Sequence, residues 1–241
     1  MVIEISNVQI ISFLLIFFRV GAILFTAPFF GSRNIPVQIR ILLSFTVAIV
    51  IASVTIPSQR ALGEKLLATG TIDLITLFLA ITKEVLLGIA IGFIAQLTFV
   101  GIQMAGQFIG NEIGFGMMNI LDPATHSTLT VTAEYYTIVA MLIFLLTYGH
   151  HYVLLGVARR FETIPLAGWG LSGEFADHLN TVVSGIFSTA LRIAIPVAGA
   201  LFLTKTAMAI IARTMPQVNV FIVGFPVQIA TGLIVMAISL P

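Results

Sequence analysis

Apolar positions gather along this chain into six long stretches, at residues 8–30, 41–56, 85–110, 135–157, 179–204 and 218–240, with a weaker seventh at 66–82. Each is close to the about 20 residues that carry a helix across the roughly 30 Å hydrocarbon layer of a bilayer. Turn residues punctuate the joins: GSRNIP at 31–36, PSQ at 57–59, LDP at 121–123 and AGWGLSG at 167–173. No linker, low-complexity tract or short-period repeat intervenes, so the pattern predicts one compact, all-α integral membrane unit of about six helices.

Composition supports a membrane setting. Apolar residues make up 59% of the 241 and charged ones 9%, against roughly 45–50% and about 25% in soluble domains. A formal charge of +1 leaves no basic excess for nucleic-acid phosphates, so nucleic acid is not expected as a partner. The absence of cysteine removes disulfides, thiolate nucleophiles and Cys-type metal centres. The N-terminus MVIEIS carries an acid and the first basic residue is Arg19; it lacks a positive leader, and the first stretch is expected to stay attached.

Charges interrupt this apolar pattern. Arg19 and Arg192 lie inside the first and fifth stretches, and Asp73, Lys83 and Glu84 break the sequence between Leu66 and Gly110. Charges in hydrocarbon are costly unless buried against protein, paired or hydrated. One reading has the arginines snorkelling and Lys83–Glu84 marking an interhelical turn. The other has these helices wrapped by further subunits that satisfy Arg19, Lys83, Glu84 and Arg192. Basic residues follow stretches one, two, four and five alike, so the positive-inside rule assigns no orientation.

Seven of the 20 glycines fall between Gly88 and Gly116. Gly88 and Gly92, then Gly106, Gly110 and Gly114, repeat every four residues, a spacing that lets helix backbones approach closely. Beyond Gly106 the run QFIGNEIGFGMMNI is a weak helix former. Asp122 and Pro123 then suit a helix start, so 106–121 is predicted as a loop. Irregular backbone at membrane depth is tolerated where protein buries it or where it lines an aqueous path. That makes Gly106, Phe108, Gly110, Gly114, Phe115, Gly116, Met117 and Met118 a candidate pore plug, with Met and Phe as the seal. Glu112 is left to face water or a basic partner.

Catalytic and metal chemistry finds less. His150 and His151 are neighbours about 100° apart on a helix. Asp122 and His126 could form half a metal site, but HExxH, GxSxG and the P-loop are absent. No cofactor is expected. An intramembrane enzyme is unsupported, and Arg19 with Arg192 only faintly matches a secondary transporter.

The ordered motifs resemble the FliR/SctT family of the type III export apparatus of flagella and injectisomes. FFRVGAILFTAPFFGSRNIPVQIRILLSFTVA at 17–48 is similar to the family's opening, including Arg19, Ala27-Pro28, Gly31, Ile35-Pro36 and Arg40. EVLLGIAIGF, GIQMAGQFIG, LDPATH and YGHHYVLLGVARRFETIPLAG resemble successive middle segments. ALRIAIPVAGALFLTKTAMAIIARTMPQVNVFIVGFPVQI at 190–229 matches the family's end and also resembles the small gate subunit FliQ.

The resemblance implies a non-enzymatic, pore-forming subunit that joins FliP and FliQ, with FlhB as a further partner, in a gate passing unfolded export substrates. It implies the bacterial inner membrane, the flagellar basal body and contact with membrane lipids. Residues 1–175 would be the FliP-like part and 176–241 the FliQ-like part. Arg19, Arg33, Pro36, Arg40 and Arg192 are expected to make assembly contacts, with GSRNIP as a rigid turn. Family members commonly carry a further C-terminal segment, which puts contacts from such a tail in doubt. An injectisome homologue is the alternative, and a stand-alone secondary transporter a more distant one.

Overall fold

The computed structural model describes residues 7–32, 35–58, 74–116, 130–164, 166, 173–217 and 219–239. Among them the regular structure is helical: α1 Asn7–Thr26, α2 Val37–Ser58, α3 Leu74–Ile113, α4 Val131–Leu146, α5 Gly149–Thr163, α6 Gly173–Thr214 and α7 Val220–Ser239. α1, α2, α3, α6 and α7 are each long and apolar enough to cross a membrane, and α4 with α5 passes the same test as a broken pair. The chain is an all-α integral membrane protein.

Three expectations need correction. The third stretch and the described part of the weaker seventh form one 40-residue helix, α3, so Lys83 and Glu84 sit within a helix and mark no turn; 66–73 lies outside the described residues. α3 also continues through Gly106 and Gly110 to Ile113, because packing along its glycine face overrides the poor intrinsic propensity of those residues. The fourth stretch is broken at Thr147–Tyr148, where Tyr148 takes a left-handed φ of 57°, and its carbonyl accepts the His151 N–H at 2.9 Å to start α5.

Unit 1 comprises Met1–Gln96 and Phe144–Leu179, and unit 2 comprises Leu97–Ile143 and Asn180–Pro241. α3 and α6, with 40 and 42 residues, are each about 60 Å long at 1.5 Å per residue. Helices of that length outrun one small core, so each contributes to both units. These units cut across the division at 175, which describes resemblance and not compactness.

In unit 1, Leu15, Ile16, Val20, Ile23 and Leu24 of α1 pack with Ala48, Ile51 and Ala52 of α2, Ala80 of α3, and Val157 and Phe161 of α5. Phe45 meets Phe13 and Phe17 edge-on, with centroids 5.6 and 6.2 Å apart. Small residues bring α3 against α1: a Cβ on Gly88 would lie 2.6 Å from Ala22 Cβ and 2.7 Å from the Arg19 carbonyl. In unit 2, Ile109 and Ile113 of α3 share a core with Tyr136 of α4, Ala194, Val197 and Leu201 of α6, and Met236 of α7.

Candidate functional site

The polar centre of unit 1 is Arg19. Its side chain is 0% exposed and that of Glu84 is 2% exposed. Nε pairs with Glu84 Oε2, Nη2 donates to Oε1 at 2.9 Å, and Nη1 donates to the Ile164 carbonyl at 2.9 Å. The Phe161 ring lies 4.5 Å from the guanidinium carbon. The planar fork of arginine suits this two-toothed grip on a carboxylate. One guanidinium thereby joins α1, α3 and the residues just past α5. The expectation that Arg19 and Glu84 are satisfied by another subunit is corrected, since they satisfy each other within the chain.

Arg40 also turns inward. Its Nη2 donates to the carbonyls of Ser32 and Ile35 at 2.6 and 2.7 Å, and Nε donates to Ile35 at 3.0 Å. The Pro36 carbonyl accepts the N–H groups of Ile39 and Arg40, opening α2. A Cβ on Gly31 would fall 2.7 Å from the Phe25 carbonyl and 2.9 Å from that of Ala27, so the turn demands glycine there. Arg40 closes the α1–α2 connection from within, in place of the expected reach to a neighbour. Arg33 lies outside the described residues.

The candidate plug residues divide at Gly114. Gly106 and Gly110 are buried helical residues, and a Cβ on Gly106 would sit 2.6 Å from Ala133 Cα. Thr132 donates its hydroxyl to the Gly106 carbonyl at 2.8 Å. Thr130 Oγ1 caps α4 by accepting the Ala133 N–H at 3.3 Å, while Gln107 Oε1 accepts the Thr130 N–H at 3.0 Å. These two glycines therefore seat α4 on α3, and they are corrected from loop to packing residues. Phe108 is partly exposed on the same helix.

α3 stops at Gly114 with a left-handed φ of 103°. The Phe115 N–H reaches the Gly110 carbonyl at 2.9 Å and the Gly114 N–H reaches that of Asn111 at 3.2 Å, the paired bonds of a Schellman end. Phe115 folds onto the unit 2 core. Gly116 follows, and Met117, Met118, Asp122, Pro123 and His126 lie outside the described residues. Gly114→Ala would set a Cβ at a left-handed position and 2.9 Å from Phe225 Cε2. It should lower stability by about 1–2 kcal/mol, read as a lower melting temperature of the detergent-solubilised protein; an unchanged value would exclude this helix end.

The remaining charges are more open. Glu112 pairs with Lys205 at 2.6 Å, both side chains more than 40% exposed. Lys83 and Arg192 are exposed, and Arg192 has no partner among the described residues. His150 and His151 stack with ring centroids 4.4 Å apart, closer than their helical offset implied. Among the described residues no three His, Asp or Glu side chains group to hold a metal. The sequence marks Glu84 as a charge in need of a partner but not as the partner of Arg19, and Phe161 and the Thr130–Thr132 pair carry no signal in it that points to their roles.

A model of the family described as bacterial export proteins, family 1, matches residues 10–241. Flagellar biosynthetic protein FliR of Bacillus subtilis (strain 168) is 34% identical over 233 residues, spanning 95% of this chain and 86% of that protein. The protein of the same name from Escherichia coli (strain K12) is 29% identical over 242 residues, at 99% and 89% coverage. The one from Aquifex aeolicus (strain VF5) is 29% identical over 236 residues, at 98% and 88%.

Proposed function

This chain belongs to the bacterial export proteins, family 1, and we propose that it acts, as its relatives' names indicate for them, in flagellar biosynthesis. In this reading it is a structural, non-catalytic subunit of a protein export gate in the bacterial inner membrane. It assembles with FliP and FliQ, with FlhB alongside, to form a pore for unfolded substrates, and its two sequence parts are FliP-like and FliQ-like.

The observation that carries the assembly reading is the charge spacing on α6. Between Asp177 and Lys205, Arg192 divides the helix into residues 179–191 and 193–204, runs of about 20 and 18 Å. Neither fills a hydrocarbon layer of roughly 30 Å. A helix so divided is poorly served by lipid, whereas neighbouring protein can supply partners for its charges. Purification of the tagged chain in mild detergent from cells making the whole apparatus should yield, by native mass measurement, a mixed complex with FliP and FliQ. A monomer or a homo-oligomer would overturn the proposal.

The plug belongs to the same reading, narrowed to the segment from Gly114 through Phe115 and Gly116 to Met117 and Met118. Apolar, pliant side chains exclude water from a constriction and can yield to bulky cargo. Replacing Met117 and Met118 with glycine should leave the complex assembled and raise the ion conductance of the resting membrane several-fold. A membrane that stays tight would move the seal to another subunit.

A further inference from the structure

Deepening that assembly reading, on which it rests, we infer that the face of α6 centred on Arg192 receives an apolar helix from another subunit that carries a carboxylate. The opposite side of α6 is already used. Ile186, Ala190, Ala194, Val197, Leu201 and Met208 are buried and recur at steps of three, four or seven residues, forming one narrow seam against unit 2. At 100° per residue, Gly185, Arg192 and Gly199 fall about half a turn away from that seam. Ser188, Leu203 and Ile210 continue the line, and all are exposed.

The two glycines stand one heptad before and one heptad after the arginine. A Cβ added to either would meet nothing within 4 Å. Each glycine costs a helix interior about 1 kcal/mol relative to alanine, and among the described residues no side chain or backbone atom lies within 4 Å of the space they leave. They produce a shallow furrow that runs for about 21 Å along the helix, the footprint of another helix's backbone. A lipid headgroup needs only the single turn around the guanidinium.

Charge complementarity fixes the chemistry of the occupant. Arg192 presents donors and no acceptor, so the incoming helix must place a carboxylate opposite it. The same turn also offers an acceptor. Pro196 has no N–H to give the Arg192 carbonyl four residues before it, so a hydroxyl or amide donor within one turn of the carboxylate completes the match.

The test places benzoylphenylalanine at position 188 of the full chain, in cells making the complete apparatus. Light should join it to a peptide of another subunit with Asp or Glu within one turn of the joined residue. Arg192→Gln and Gly199→Leu should each cut that product at least tenfold, the second keeping the guanidinium and so separating lost fit from lost charge. Products formed only with phospholipid, with a second copy of this chain, or with the chain itself would overturn the inference, as would full yield from both variants. Native mass measurement of the unsubstituted chain separates the two failures: a mixed complex with lipid-only products sinks this inference alone, and a monomer sinks the proposed function with it.

Discussion

Glu84→Ala should cost about 3–5 kcal/mol, because it leaves the Arg19 guanidinium charged, enclosed and without its carboxylate. Arg19 is 0% exposed and Glu84 1%, so neither can recruit water without opening the α1–α3–α5 contact. Heating the detergent-solubilised variant and following the folded fraction by size exclusion gives the measurement. The reciprocal change, Arg19→Ala, should be similarly harmful and should also release the Ile164 carbonyl. Replacing both partners with methionine removes the stranded charge and should recover most of the loss, since apolar isosteres of a buried pair are often near neutral. A Glu84→Ala protein as stable as its parent would mean that the pair contributes nothing to holding α1, α3 and α5 together.

Gly106→Ala should destabilise by about 2 kcal/mol, the balance of overpacking and a weakened hydrogen bond against improved helix propensity. The obstacle to the new methyl is backbone: Ala133 Cα at 2.6 Å and the Thr132 carbonyl at 2.9 Å. Neither can rotate aside as a side chain could, so α4 must move off α3. That movement also stretches the Thr132 hydroxyl from the Gly106 carbonyl, now 2.8 Å apart. Gly156→Ala serves as the comparison, because a Cβ there meets nothing within 4 Å, and it should stabilise by up to about 1 kcal/mol. Equal melting temperatures for the two variants would remove the packing role of Gly106.

Helices were the legible part of this protein, because an apolar run long enough to span a bilayer has few other structures open to it. Their ends were less so. Residues 106–113 look like loop when propensities are read one residue at a time, yet the Gly106–Gly110 face, closed by Thr130 and Thr132, holds them helical. The true stop is Gly114, whose positive φ no spacing rule singles out from its neighbours. Arg19 could be recognised as costly from its position alone. Its partner could not, because Glu84 beside Lys83 has the local appearance of a turn, and a contact across 65 residues leaves no trace in periodicity. The inward turn of Arg40 is hidden for the same reason: the Ser32 and Ile35 carbonyls that hold it belong to a turn whose shape appears only on folding.

The union of Arg19 with Glu84 also sets a clock on biosynthesis. The arginine leaves the ribosome 65 residues ahead of its carboxylate, and at about 5–20 residues per second it waits roughly 3–13 s for that partner. Through this interval the first helix, long and apolar enough to cross a membrane, carries an unneutralised cation. The charge of α1 is matched only on the arrival of α3, so the polar centre of the first unit is completed by a helix made after the one that holds its arginine.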